Sequence, residues 1–163
     1  MFSLEIVTLA RLLIDEARQR SLRIVTAESC TGGLVAGAIC SIAGASDVFE
    51  RGFVTYSNRA KQELLGVPGD LIADLGAVSE PVARMMAEGA LEASNAHLAV
   101  AITGVAGPGG GTPMKPVGTV HIATARSNER IMHRQELFAF ETREEIQLAA
   151  VQAALQALRD RLA

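Results

Sequence analysis

The order of helix and strand patterns along this chain is the feature that most constrains its fold. An amphipathic helical pattern over residues 3–20 precedes an apolar strand pattern over 22–27, and small apolar residues over 31–42 then predict a closely packed helix. A second strand pattern at 51–57 and the most apolar one, at 97–103, are also separated by helical patterns. Such alternation indicates βα units, in which helices cover the faces of a largely parallel sheet.

The last third of the chain departs from that alternation. The segments GTVHIATA (118–125) and RIMHRQELF (130–138) flank the turn sequence RSNE and predict an antiparallel hairpin. Thr142 and Glu145 form a T-x-x-E capping box, which predicts the start of a final helix. We therefore predict an α/β fold in which residues 1–163 form a single three-layer α/β/α domain with a mixed, largely parallel sheet plus an antiparallel hairpin.

Charge and cysteine content exclude several classes of function. The net charge is −3 and the 15 lysines and arginines are scattered, so no nucleic-acid-binding patch is predicted. Neither the two cysteines nor the three histidines have the spacing of a metal site. Charged residues among the first twenty argue against a signal peptide, and no apolar run is long enough to cross a membrane. We expect a cytoplasmic protein without metal, nucleic-acid or membrane partners, and a homo-oligomer because small α/β domains leave apolar faces uncovered.

Chemically suggestive segments follow three of the predicted strands. They lie at residues 27–33, 55–61 and 103–111. Because ligands of such sheets usually bind beyond the carboxyl ends of the strands, parallel strands would bring these three segments together. The sequence therefore predicts a small-molecule site at this edge of the sheet.

The first of these segments, AESCTGG, places three candidate nucleophiles side by side. Ser29 lies at a strand-to-helix turn, where a serine is more often a helix cap than a nucleophile, although amides at a helix start can hold a phosphate or an oxyanion. Cys30 is intrinsically the stronger nucleophile, but it fits a small buried residue unless its pKa is lowered. Thr31 fits a cap or a ligand contact. The adjacent Glu28 is expected to anchor the turn.

Lys61, in the second segment, is the candidate general base. We expect Asn58 to cap its helix and Gly66 to end it. A base must be neutral, so the lysine pKa must fall below its usual ~10.4 through burial, through Arg59 or through the positive end of the helix. Tyr56 could pass a proton or orient the lysine. An exposed, solvated lysine is the alternative.

The third segment opens a long loop, GVAGPGGGTPMKPVG, over residues 104–118. Neither the P-loop pattern nor G-x-G-x-x-G is present. Consecutive glycines can nevertheless curl backbone amides around a phosphate or a carboxylate. A flexible loop without a ligand is the alternative.

Three ordered blocks, AESCTGG, YSNRAK and AITGVAGPGGGTPMKPVGTV, resemble those of the CinA C-terminal domain family, the nicotinamide mononucleotide deamidases, and the resemblance covers essentially the whole chain. It implies an amidohydrolase of pyridine nucleotide recycling, which converts the carboxamide of nicotinamide mononucleotide to nicotinate mononucleotide and ammonia without a metal or organic cofactor. It also implies Ser29 as nucleophile and Lys61 as base, with Tyr56 and Thr103 completing the catalytic set. The implied substrate-binding residues are Thr31, Gly32, Gly33, Gly104, Gly107, Gly109, Gly110 and Arg143.

The last helix departs from the pattern of that family. Relatives usually begin it with G-D-R-x-x-x-R, whereas this chain reads ETREEIQ, so that Arg143 keeps the first arginine and Gln147 replaces the second. Two alternatives to deamidation therefore stay open: a nucleotide-binding regulatory module without turnover, and an amidase for another small carboxamide. Ammonia release from a panel of carboxamides separates them.

Overall fold

Five strands form one mixed sheet in the computed structural model, which describes residues 1–163. In chain order they are β1 (Ile24–Glu28), β2 (Phe49–Val54), β3 (Leu98–Gly104), β4 (Thr119–Arg126) and β5 (Met132–Leu137). The spatial order is β2-β1-β3-β4-β5, with β1 parallel to β2 and β3, and β4 antiparallel to β3 and β5. The predicted mixed sheet with its antiparallel hairpin is confirmed, and the most apolar strand, β3, lies at its centre.

Six helices cover the two faces of this sheet. They are α1 (Leu4–Gln19), α2 (Leu34–Cys40), α3 (Asn58–Leu65), α4 (Gly69–Leu75), α5 (Glu80–Glu92) and α6 (Arg143–Asp160). None of them combines the length and the hydropathy that crossing a bilayer requires. The capping box of α6 is confirmed, because the side chains of Thr142 and Glu145 each accept a hydrogen bond from the other's backbone amide.

Helix α3 begins one residue earlier than predicted. Ser57 Oγ accepts a hydrogen bond from the Ala60 amide at 3.0 Å, so Ser57 is the cap and the prediction for Asn58 is wrong. The other end is as predicted, because Gly66 ends the helix with a φ of 68°, a conformation that glycine adopts without strain. These two caps fix the helix that carries Lys61.

The two faces of the sheet carry side chains of different size. Against α1, α2 and α6 the strands present branched aliphatic side chains, namely Ile24, Leu98, Val100, Ile102, Val120 and Ile122. Against α3, α4 and α5 they present mostly alanines, namely Ala27, Ala99, Ala101, Ala123 and Ala125. Because alanine projects only a methyl group, the α5 layer can approach the sheet closely, and both buried faces together confirm the three-layer architecture.

Helix α5 also lies very close to the end of α3. A methyl group at Gly89 would stand 1.9 Å from the Leu65 carbonyl oxygen, so only glycine fits there. The spacing of Val82, Met86, Gly89 and Ala93 predicts an inner stripe on this helix, and the first three are buried. Ala93 is exposed because the helix ends at Glu92.

Candidate active site

Ser29 lies in the turn between β1 and α2, at the carboxyl end of a central strand. Its backbone amide donates to the Ile102 carbonyl of β3 at 2.9 Å, which ties the turn to the neighbouring strand. The N-cap of α2 is Gly33, whose φ is 101°, and not Ser29. The Ser29 hydroxyl therefore does not cap the helix, and 9% of this residue's surface is exposed.

The fully buried Glu28 carboxylate organises this turn. It accepts hydrogen bonds from Thr31 Oγ1 at 2.7 Å, from the Val35 amide at 2.8 Å and from the Ala36 amide at 3.0 Å. The expectation that Glu28 anchors the turn is confirmed. The expectation of free amides at the start of α2 is wrong for Val35 and Ala36, because their amides already donate to the Glu28 carboxylate. The amides of Cys30 and Thr31, which precede the helix, donate to no oxygen of the protein.

Replacing Glu28 by glutamine should destabilise the fold. The amide side chain keeps the size but loses the negative charge and one acceptor oxygen, and hydrogen bonds to a charged group contribute about 1.5–3 kcal/mol each. We expect the free energy of unfolding in urea to fall by about 2–3 kcal/mol. Thr31→Val, which removes a single donor, is the matched control and should cost less. Equal stability of E28Q and the unmodified protein would contradict the anchoring role.

Lys61 is buried, with 1% of its surface exposed, and its amine reaches the Ser29 hydroxyl. Lys61 Nζ lies 2.8 Å from Ser29 Oγ, 2.8 Å from the Thr55 carbonyl oxygen and 3.2 Å from the Tyr56 carbonyl oxygen. All three partners are neutral oxygens, so no carboxylate stabilises the ammonium form. The alternative of an exposed, solvated lysine is wrong.

Burial of the amine lowers the pKa of Lys61 to about 8. The cause is desolvation of the charged form, and a smaller opposing effect comes from the neighbouring Cys30. Arg59 is not among the causes: it is exposed and paired with Glu63. Near neutral pH an appreciable fraction of Lys61 is therefore the neutral amine that a general base requires.

The Cys30 thiol is poorly suited to be the nucleophile. Burial raises its pKa to about 12, so it stays protonated at neutral pH. Cys30 thus behaves as the small buried residue that the sequence allows, while Ser29 beside it has a base within hydrogen-bonding distance.

Segments from all three strand ends meet in a cleft of about 290 Å³, close to the lower limit for small-molecule pockets. Most of the residues that the sequence analysis singled out line this cleft, namely Ser29, Cys30, Tyr56, Lys61, Thr103, Gly104, Gly107, Gly109, Gly110 and Arg143. Thr31, Gly32 and Gly33 do not line it and form the turn behind Ser29. Asn58, Ala77 and Val78 line it without having been singled out for this role, and the apolar pair carries no chemical signal in the sequence.

Arg143 joins the second and third segments across the cleft. Its Nη1 donates to the Gly107 carbonyl at 2.6 Å and its Nη2 donates to the Tyr56 hydroxyl at 2.8 Å. The Tyr56 hydroxyl therefore contacts the arginine, and it is the Tyr56 carbonyl that contacts Lys61. Thr103 Oγ1 donates to the Ala77 carbonyl at 3.0 Å, which fixes the wall between β3 and the start of α5.

Comparison with known proteins assigns a family to this arrangement. A model of the CinA C-terminal domain matches residues 6–162. The chain belongs to the CinA C-terminal domain family. A crystal structure of the competence/damage-inducible protein CihA from Agrobacterium tumefaciens superposes on this CinA domain with a TM-score of 0.96, at 49% sequence identity over 98% of this chain and 97% of that one.

Curated relatives of this CinA domain are of two lengths. The nicotinamide-nucleotide amidohydrolase PncC of Escherichia coli is 47% identical over 94% of this chain and 93% of its own length. A CinA-like protein of Akkermansia muciniphila is 58% identical over 72% of this chain, but the match spans only 28% of that protein. Several CinA-like relatives are thus about three to four times as long as the part that this chain matches.

Gln147 takes part in the packing behind the site of this CinA domain. Its Nε2 donates to the Cys30 carbonyl oxygen at 3.0 Å, and it does not line the cleft. The residue that replaces an arginine of the family pattern therefore contacts the backbone next to Ser29.

The histidines lie away from the cleft. His121 and His133 approach each other at 2.9 Å through their ring nitrogens, and burial lowers the pKa of both. His97 Nδ1 accepts a hydrogen bond from the Arg23 amide. No group of three or more histidine, cysteine, aspartate or glutamate side chains could hold a metal ion. His121 and His133 lie on the paired strands β4 and β5, whereas His97 is exposed and lies just before β3.

Proposed function

We propose that this CinA domain hydrolyses the carboxamide of nicotinamide mononucleotide to nicotinate mononucleotide and ammonia, with Ser29 as nucleophile and Lys61 as general base. The observation that carries the proposal is the 2.8 Å separation of Lys61 Nζ and Ser29 Oγ at the cleft wall. The choice of substrate is supported by the name of the E. coli relative, a nicotinamide-nucleotide amidohydrolase that matches nearly the whole chain.

The surroundings of Lys61 suit a base more than a structural cation. A neutral primary amine has two N–H groups and one lone pair, and two carbonyls, of Thr55 and Tyr56, stand within 3.2 Å to accept the two N–H groups. The lone pair is then left for the third partner, the hydroxyl of Ser29. Desolvation lowers the pKa of Lys61 and so favours the neutral amine, and in that form the geometry directs the lone pair at the serine proton.

The reaction proceeds in two steps through an ester. Ser29 Oγ attacks the carboxamide carbon while Lys61 takes its proton; the C–N bond then breaks, and the Lys61 ammonium returns the proton to the departing ammonia. Water attacks the resulting nicotinoyl ester of Ser29, with Lys61 again as base, and releases the carboxylate product. No group beyond water and the substrate is consumed.

The unpaired amide of Cys30 is the donor we assign to the oxyanion. Cys30 directly follows the nucleophile and lines the cleft, and its amide makes no hydrogen bond to a protein oxygen. A donor of this kind commonly contributes about 3 kcal/mol to stabilising the tetrahedral intermediate. Thr31 lies behind Ser29 and supports the turn through its hydrogen bond to Glu28.

We assign the substrate phosphate to Arg143 and the glycine loop. Arg143 is the cation of the cleft other than Lys61, and its partners are a carbonyl and a phenol, so its charge is not neutralised by a carboxylate. The backbone of Gly104, Gly107, Gly109 and Gly110 adds amide groups that carry no side chains between them and a bound anion.

The rate should depend on pH through Lys61. With its pKa near 8, the neutral base is the minor form at neutral pH, so kcat/KM should rise about tenfold per pH unit below about 8 and level off above it. A pH profile of initial rates, measured at substrate concentrations below KM, checks this. A profile that is flat through this range would show that another group, or a step other than proton transfer, controls the rate.

Ammonia release tests the function directly. Purified protein is given nicotinamide mononucleotide, nicotinamide riboside, free nicotinamide and unrelated carboxamides, with Ser29→Ala as the matched control. We expect ammonia from nicotinamide mononucleotide at the highest kcat/KM and none above background from the variant. If ammonia were released mainly from another carboxamide, that compound would be assigned as the substrate. If calorimetry showed that the nucleotide binds but no ammonia were released, the protein would be a binding module and not an enzyme.

A further inference from the structure

The largest concavity of the molecule lies away from the cleft. A groove of about 750 Å³ runs between α1, α6 and the outer strand β5. Its walls are mainly apolar, with Leu4, Leu9, Phe138 and Phe140 among them, and its charged residues are Glu5, Arg134 and Glu136. The proposed reaction makes no use of this surface.

The strand that borders the groove is an open edge of the sheet. β5 pairs with β4 on one side only, so the outward backbone groups of its residues have no strand partner. Large apolar side chains are exposed on or beside this edge: Met132 at 53%, Leu137 at 64%, Phe140 at 50% and Leu4 at 79%. An edge that is both apolar and unpaired is a template for another strand.

The charges of β5 favour a second copy of the same chain as that strand. Arg134 lies opposite Ile122 and Glu136 opposite Val120, so both side chains point to the groove side of the sheet, one on each side of Gln135. In an antiparallel pair of two β5 strands with the two-fold axis at Gln135, Arg134 of each copy lies opposite Glu136 of the other. The pairing thus places two opposite-charge pairs across the axis.

We propose that two copies of this chain associate through antiparallel pairing of their β5 strands about Gln135, which joins the two sheets into one and covers the apolar edge. The association is isologous, since the same surface serves on both copies. Within one chain Arg134 already approaches Glu136 at 3.1 Å and Asp160 at 3.6 Å, so these side chains exchange or share partners on association.

The opposite edge of the sheet is less suited to pairing. On β2, Arg51 is held by the neighbouring Glu50 and by the Ala93 carbonyl, and Gly52 offers no side chain to pack against a further strand. Val54 is the one large apolar side chain exposed on that strand. The apolar residues that need covering therefore lie at β5.

Charge exchange at the two positions tests the proposal and its register. In a dimer of the Arg134→Glu variant, the introduced glutamate of each copy faces Glu136 of the other copy. In a dimer of the Glu136→Arg variant, the introduced arginine of each copy faces Arg134 of the other copy. Each variant alone should dissociate at least about tenfold more readily than the unmodified protein, because like charges facing each other across an interface are costly. The double exchange R134E/E136R should restore the dimer. Sedimentation velocity over a wide range of concentration measures all four proteins.

Mixing the two single variants separates pairing between chains from the pair within a chain. In neither variant do positions 134 and 136 of one chain carry opposite charges, whereas in a dimer of one copy of each variant both pairs across the axis are complementary. Native mass spectrometry of the mixture should therefore show the heterodimer in preference to either homodimer. Thermal unfolding of each variant checks that it folds, and exchange of this partly exposed pair should change the stability little.

Three results would overturn the proposal. The first is a monomeric unmodified protein at every concentration. The second is an association constant that neither exchange changes, which would place an interface elsewhere. The third is the absence of a heterodimer from the mixture although each variant is folded and weakened.

Discussion

Replacing Ser29 by alanine should reduce kcat by at least about a thousandfold while leaving the fold intact. The hydroxyl is the atom that Lys61 faces at 2.8 Å, and no other group of the cleft has a base at that distance. Because the hydroxyl does not cap α2, its removal should leave the free energy of unfolding nearly unchanged. Ammonia release and urea denaturation measure the two effects separately.

Cys30→Ala is the matched control for Ser29→Ala. The thiol is adjacent in the chain, buried, and protonated at neutral pH because its pKa is raised to about 12. Its replacement removes one sulfur atom and should leave kcat within a few-fold of the unmodified value. If instead Cys30→Ala were inactive and Ser29→Ala active, the nucleophile would have to be reassigned.

Replacing Lys61 by methionine should have an effect of similar size, about a hundredfold to ten-thousandfold in kcat, which is what general base catalysis commonly supplies. Methionine fills the buried volume without an amine. Lys61→Arg should be equally inactive, because a guanidinium does not lose its proton at accessible pH and the pocket between two carbonyls and a hydroxyl accommodates a single amine.

The comparison of these two variants separates a base from a structural cation. If Lys61 served only as a charge, arginine would preserve part of the activity and methionine would not. Activity of Lys61→Arg within tenfold of the unmodified protein would therefore refute the assignment. The kcat/KM of both variants should also lose the rise with pH that we expect of the unmodified protein below about 8.

Local sequence patterns sufficed for much of the fold because they report local geometry. The apolar strand at 97–103 identified the central strand, and the T-x-x-E box identified the start of α6. The meeting of the three strand ends followed from one assumption, that consecutive strands joined by helices run parallel, and the cleft is found where they meet. The short helix α4 was missed, since seven residues hold too few turns for a clear periodicity.

What the sequence could not predict depends on residues far apart in the chain. Arg143 contacts Tyr56, 87 positions away, and nothing in either segment indicates this bond. Glu28 was expected to anchor the turn, but its capture of two α2 amides depends on the path of residues 29–33 in three dimensions. The depth at which Lys61 is buried could not be predicted either, because the same helical pattern allows an exposed lysine.

That depth depends on a contact that involves no polar side chain. Lys61 and Leu65 lie one turn apart on α3, and the Leu65 carbonyl rests where a side chain at position 89 would be. The absence of a methyl group on α5 thus sets how far α3, and the amine it carries, sink toward the sheet. A larger residue at position 89, which does not line the cleft, would push α3 outward, readmit water to the lysine and raise its pKa toward the ordinary value.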